Sequence, residues 1–171
     1  MLDKERDKIF GEWLAAHKGI LFKVVHAHAF AQVDREDLFQ EIAVQVWRSV
    51  DAFRGESSIV TWMYRVALNT AIAWNRREER HERGKQPLEA AAGVLSASSP
   101  DSRDPRVEWL YRQIAELTEV DRSLALLMLD GFSYREMADI VGISENYVGV
   151  KINRIKSALA GKLAKEQGHE A

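Results

Sequence analysis

All three prolines of this chain fall in one stretch, at Pro87, Pro100 and Pro105. Proline inside a helix removes a backbone donor and clashes with the preceding turn, so long helices need proline-free sequence. The residues before Pro87 and after Pro105 provide it. Between those two prolines, 12 of 19 residues are Ala, Ser, Pro or Gly, which bury little surface. Residues 87–105 therefore read as a flexible linker between a first half, 1–86, and a second, 106–171. An Ala-rich helix over Leu88–Leu95 is the alternative within it.

Both halves carry apolar residues at helical spacing. Neither shows sustained alternation or an Asn-Gly or Asp-Gly hairpin between apolar runs; Asp130-Gly131 sits between helical patterns. The expected fold is all-α: two small helical domains joined by the linker, the second a helix-turn-helix. Helices are predicted near Asp3–His17, Lys18–Ala31, Arg35–Phe53 and Ser58–Arg83. After the linker they are predicted near Arg106–Glu116, Val120–Asp130, Ser133–Val141 and Glu145–Lys165.

Charge and composition remove several classes of function. The 24 Lys and Arg against 26 Asp and Glu leave a net charge of −2, too little positive charge to coat nucleic acid by bulk electrostatics. The longest uncharged run, Ala90–Pro100, has 11 residues, whereas a membrane-spanning helix needs about 20 apolar ones. The charged N-terminus does not read as a secretory signal. Without cysteine there are no disulfides or thiolate metal sites, and a cytoplasmic location is expected. No phosphate-binding glycine loop or His-Glu-x-x-His motif is present. His26 and His28 lie two apart, on different helix faces, and make poor metal partners. No enzyme activity, catalytic residue, metal or cofactor is expected.

The sharpest motif runs from Ser133 to Val148. Ser133 and Glu136 have the spacing of a capping box that starts a helix. Ala138 is small where two crossed helices approach. Gly142 suits the left-handed turn that ends the first helix, and Ser144 can cap the second. Val148 points back between them, with Met137, Val141, Ile143, Ile152 and Ile155 completing the core. The outer face of the second helix is expected to present Asn146, Tyr147, Gly149, Val150, Lys151, Asn153 and Arg154. Residues 145–165 hold five basic residues and one acidic. Such a helix fits the DNA major groove. Arg154, Lys151 and Lys156 would reach phosphates or guanine edges, Asn146 and Asn153 adenine, and Tyr147 a phosphate or thymine methyl.

The first half carries a different chemistry. Over 35–53 an apolar stripe of Leu38, Phe39, Ile42, Val46, Trp47 and Val50 is backed by Asp37, Gln40, Glu41, Val44 and Arg48. Asp34, Glu36, Asp37 and Glu41 lie within eight residues. Acids near a helix start favour its dipole; the same acids also suit a basic partner. A short polar loop, 53–58, is hinged at Gly55. The helix after it places Trp62, Arg65, Asn69, Ile72 and Arg76 on one face, with Arg77, Arg80, Arg83 and Lys85 towards its end. Aromatic, amide and basic groups on one face suit unstacked bases and phosphates. For Trp62 a second role is equally open: a core tryptophan beside Met63, Val66 and Thr70.

Taken together, these residues resemble a bacterial RNA polymerase sigma factor of the extracytoplasmic-function (ECF) group. Asp37-Leu-Phe-Gln-Glu is similar to that family's region two. Phe53-Arg-Gly-Glu-Ser-Ser followed by Thr61-Trp-Met-Tyr-Arg-Val-Ala-Leu-Asn matches its most specific signature. Gly131 to Ser144 resembles region four. The resemblance implies that Asp37, Gln40 and Glu41 dock on the clamp helices of the polymerase beta-prime subunit. It implies a wedge role for Trp62 where the promoter opens. Arg54, Ser57 and Ser58 would border a pocket for an extruded minus-ten base, and Arg65, Asn69, Arg76 and Arg77 would touch neighbouring bases or backbone. Ser144, Asn146, Tyr147, Val150, Lys151, Asn153 and Arg154 would serve the minus-thirty-five element. Implied partners are core RNA polymerase (beta-prime clamp helices and beta flap), promoter DNA and an anti-sigma protein. Two departures stand out. Gly149 occupies a position often basic in the family, and Leu117-Thr-Glu lacks the proline common after that leucine. The principal rival is a helix-turn-helix regulator with an N-terminal sensor domain, which leaves the signature from Phe53 to Asn69 unexplained.

Overall fold

The computed structural model describes residues 2–84 and 104–169, with backbone alone for 82–84. The expected linker up to Arg103, the alternative helix Leu88–Leu95, Lys85 and the Arg83 side chain lie outside the described residues. Every regular element among the described residues is helical: α1 Asp3–His28, α2 Gln32–Ser49, a 3₁₀ turn Val50–Ala52, α3 Ile59–Gly84, α4 Pro105–Ala115, α5 Glu119–Leu129, α6 Tyr134–Val141 and α7 Glu145–His169.

Two expected helices at the N-terminus are one. His17 departs from helical geometry (φ −133°, ψ 19°), yet the chain continues as α1. Trp13 before the break and Ile20, Leu21, Val24 and Val25 after it are all buried, so one apolar stripe spans the irregularity and holds both parts in line. Helix α4 starts one residue before its expected position. Pro105 opens α4 at a position where its missing N–H costs nothing, and the Asp104 side chain accepts from the Arg106 N–H at 2.9 Å.

Helices α1, α2 and α3 form the first bundle. Leu38, Ile42 and Val46 of α2 meet Met63, Ala67, Leu68 and Ala71 of α3 and the α1 stripe, all buried. In the second group, α5 buries Ser123 to Leu127 without interruption. Helix α6 starts with the expected capping box: Ser133 Oγ accepts from the Glu136 N–H at 3.2 Å, and the Glu136 carboxylate accepts from the Ser133 N–H at 2.7 Å. Gly142 ends it at φ 81°, and Ser144 Oγ accepts from the Tyr147 N–H at 3.2 Å to start α7. Val148, Ile152 and Ile155 close this core.

The two groups also pack on each other, α1 and α3 against α4, α5 and α6. This seam is polar as well as apolar. His28, buried, lies with Nδ1 3.0 Å from Asn75 Nδ2 and Nε2 3.4 Å from Ser123 Oγ. Asn75 can only donate from that nitrogen, so the neutral Nε2–H tautomer satisfies both contacts. Ser123 then donates to the Glu119 carbonyl at 3.0 Å. Asp130 accepts from Lys23 at 2.9 Å and from the Tyr64 hydroxyl. Tyr64 meets Phe132 edge-on, His26 meets Tyr111 edge-on, and the Arg122 guanidinium lies 5.0 Å from the Phe30 ring.

Candidate nucleic-acid interface

The α2 acidic face forms because the stripe Leu38, Ile42 and Val46 turns inward. Asp37 and Gln40 are exposed, and Glu41 is half-buried. Glu41 is paired with Arg77 of α3 at 2.5 Å. A residue expected to meet polymerase therefore touches one expected to meet DNA, and the two surfaces abut along the α2–α3 contact.

The loop before α3 turns at Gly55, whose φ of 73° suits glycine. Arg54 is exposed beside it. Ser58 serves the helix itself, since its Oγ accepts from the Thr61 N–H at 3.1 Å and caps the start of α3. Ser57 is half-buried, its hydroxyl donating to the Ser58 carbonyl at 3.3 Å.

On α3 the expected face is assembled. Asn69, Arg76 and Arg77 are exposed, while Arg65 and Trp62 are half-buried. The Arg65 Nε is buried without a hydrogen-bond partner among the described residues. Trp62 is packed on one side and open on the other. Its ring packs on the core edge 5.6 Å from Phe53, and its Nε1–H donates to Ser49 Oγ at 3.0 Å, yet the side chain is not enclosed. The seam uses a different side of the helix, with Tyr64 and Asn75; Asn69 and Arg76 are exposed, Arg76 lying within electrostatic reach of Glu119 of α5.

On α7, Ser144, Asn146, Tyr147, Val150, Asn153, Arg154 and Lys156 are exposed. Two residues expected on that face are not. Gly149 is half-buried, and a β-carbon there would lie 3.7 Å from the Tyr134 ring. Lys151 is also half-buried, its ammonium 2.8 Å from Asp121 of α5 and 5.0 Å from the Tyr147 ring centre. The hydrogen bond to Asp121 raises the Lys151 pKa above its ordinary value. One helical step of 100° separates the outer face from the α5–α6 side, and these residues fall on that boundary. Asp121 and Ser49 carry no sequence signal, because no local spacing ties them to Lys151 or Trp62.

The strongly shifted histidines lie in the seam. Burial, with Arg35 nearby, lowers His26 to about 4; burial, with Arg122 nearby, lowers His28 to about 3. Burial and the hydrogen bond to Asp130 push the Tyr64 hydroxyl up.

Known proteins resemble this chain in sequence and in fold. The family model for Sigma-70 region 2 matches residues 13–81, and that for Sigma-70, region 4, matches residues 107–159. The ECF RNA polymerase sigma-E factor of Escherichia coli (strain K12) is 30% identical over 141 residues, covering 76% of this chain and 74% of that protein. The RNA polymerase sigma factor YlaC of Bacillus subtilis (strain 168) is 27% identical over 174 residues, covering 98% of each. Among solved structures, the sigma factor RpoE in complex with the anti-sigma factor NepR from Bartonella quintana shares the fold. Its TM-score is 0.74 at 18% identity, over 92% of this chain and 97% of that one. A regulator with a sensor domain does not account for a region 2 match over the first half. No helix among the described residues is long and apolar enough to cross a membrane. The chain belongs to the ECF RNA polymerase sigma factors, and its function is to direct transcription initiation.

Proposed function

We propose that the two halves divide promoter recognition by the physical state of the DNA. Residues 1–86 hold core polymerase through Asp37, Gln40 and Glu41. They also take up the opened minus-ten strand on Arg54, Ser57, Ser58, Trp62, Arg65, Asn69, Arg76 and Arg77. Residues 106–171 read the minus-thirty-five element as duplex through Ser144, Asn146, Tyr147, Val150, Asn153 and Arg154, and 87–105 connects the two. The contrast between the surfaces carries this reading. One sets a half-buried tryptophan beside exposed amide and guanidinium groups, which suits stacking and phosphate contact. The other is the exposed face of a capped helix, which suits a groove. The chain contributes position rather than bond chemistry: its strongly shifted histidines and tyrosine are packed in the seam. The RpoE relative is bound to an anti-sigma factor, and we infer a partner of that kind here.

Trp62→Ala is expected to lower open-complex formation on duplex promoter about tenfold, since base stacking is worth roughly 1–3 kcal/mol, while retention by core polymerase is kept. Permanganate footprinting of the minus-ten strand reads the first, and gel filtration with core the second. Normal opening by the variant contradicts the wedge role. Run-off transcription with purified core on a genomic promoter library tests the whole assignment.

Lys151 gives a second test. In the free chain Asp121 holds its ammonium, so Asp121→Asn should release it towards phosphate. Duplex binding by the full chain should tighten severalfold at low salt, and the slope of log affinity against log salt should steepen by about 1. An unchanged slope in a fluorescence-anisotropy titration would mean that Lys151 does not reach the DNA.

A further inference from the structure

Trp62 does not take its orientation from its own helix alone. The indole Nε1–H donates to Ser49 Oγ at 3.0 Å, and the Ser49 hydroxyl donates to the Val46 carbonyl at 2.8 Å. One hydroxyl thus accepts from α3 and donates into the last turn of α2. The indole ring is flanked by Phe53 at 5.6 Å, tilted 59°, and Phe53 is met edge-on by Trp13 at 5.2 Å. Phe53 directly precedes the loop residues Arg54 to Ser58. The brace therefore touches α1, α2, α3 and the root of the loop.

We propose that Ser49 is a positioning residue for promoter opening: it fixes the indole of Trp62 in the orientation that meets the opening base pair. The inference rests on the wedge reading of Trp62 given above. A half-buried tryptophan needs a partner for its N–H. A ring that must enter DNA gains from being held in one rotamer beforehand, because the ordering cost is then met at folding rather than at binding. Ser49 provides both, and the Phe53 ring ties the wedge to the root of the loop.

The test compares Ser49→Ala, Ser49→Thr and Trp62→Ala in holoenzyme, on duplex promoter and on the same promoter with a pre-opened mismatch at the minus-ten element. Ser49→Ala should lower open-complex formation on duplex roughly 2- to 12-fold, the loss of one neutral hydrogen bond. Retention by core should be unchanged. The defect should vanish on the pre-opened template, and Ser49→Thr, which keeps the hydroxyl, should restore opening. Ser49→Ala combined with Trp62→Ala should be no worse than Trp62→Ala alone. Normal opening by Ser49→Ala beside a defective Trp62→Ala overturns the proposal and spares the wedge. An equal Ser49→Ala defect on both templates, with a lowered Tm, overturns it in favour of a purely structural tie. Normal opening by Trp62→Ala removes the wedge reading and this inference together.

Discussion

Reversing the charge at Asp37 and Glu41 together, by Asp37→Arg with Glu41→Arg, is expected to weaken retention by core polymerase roughly 30- to 700-fold. That corresponds to about 2–4 kcal/mol, in the range measured when an interfacial charge pair is broken. Asp37 is exposed on the outer side of α2. Glu41, one turn on, is half-buried against Arg77. The substitutions swing four units of charge on one small patch and oppose any basic partner that docks there. The fold should survive, because Leu38, Ile42 and Val46 face the opposite side and stay buried. Glu41→Arg has a second effect: it sets a cation against Arg77 and so disturbs the expected DNA surface. Asp37→Arg alone removes that complication and should lose core binding by a smaller factor without changing minus-ten contacts. A pull-down of core polymerase at two salt concentrations decides the matter. The loss should shrink as salt rises, since screening weakens the native attraction and the new repulsion alike. Wild-type retention by the double variant would place the docking surface elsewhere.

How much of this is legible in the sequence depends on distance along the chain. The helix-turn-helix is legible almost to the residue because each determinant is local: Ser133 with Glu136, Gly142 at φ 81°, Ser144 with Tyr147. The α2 stripe and the α3 face follow from helical spacing in the same way. Helix boundaries are less well marked. His17 is non-helical, as a junction between two helices would be, but tertiary burial on both sides makes α1 continuous. Trp62 is ambiguous in sequence because its side chain is half-buried, packed on one side and open on the other. Helical spacing alone puts Lys151 on the exposed face, whereas the partner that holds it, Asp121, is 30 residues away. The seam leaves no local trace at all. Lys23 and Asp130 are 107 residues apart, and His28 and Ser123 are 95 apart. No periodicity within one helix encodes such pairs.

The seam yields the other large effect: acid should undo it. His28 is 1% exposed, and burial with Arg122 nearby lowers its pKa from 6.5 to about 3. Below pH 6.5 an exposed His28 takes a proton that the packed one refuses, so the opened or unfolded chain binds more protons and packing weakens as pH falls. The contribution is complete well above pH 6.5, falls by about 2 kcal/mol by pH 5, and levels off at a loss of about 5 kcal/mol only below pH 3. His26, lowered to about 4 by burial and Arg35, acts in the same direction. Glu119 acts against them. Burial and the neighbouring Glu79 raise its pKa, so the packed form takes its proton first and gains from acid. The net dependence is therefore shallower than the histidines alone would give. Labels at exposed Val44 of α2 and Leu163 of α7 can follow the separation of the two halves by energy transfer, with thermal melting alongside. Between pH 7.5 and 5 the halves should part or the Tm should fall. His28→Gln keeps hydrogen-bonding groups but cannot titrate, and should remove the larger share of that change. The same pH dependence in wild type and His28→Gln would mean that His28 takes up its proton without leaving the seam.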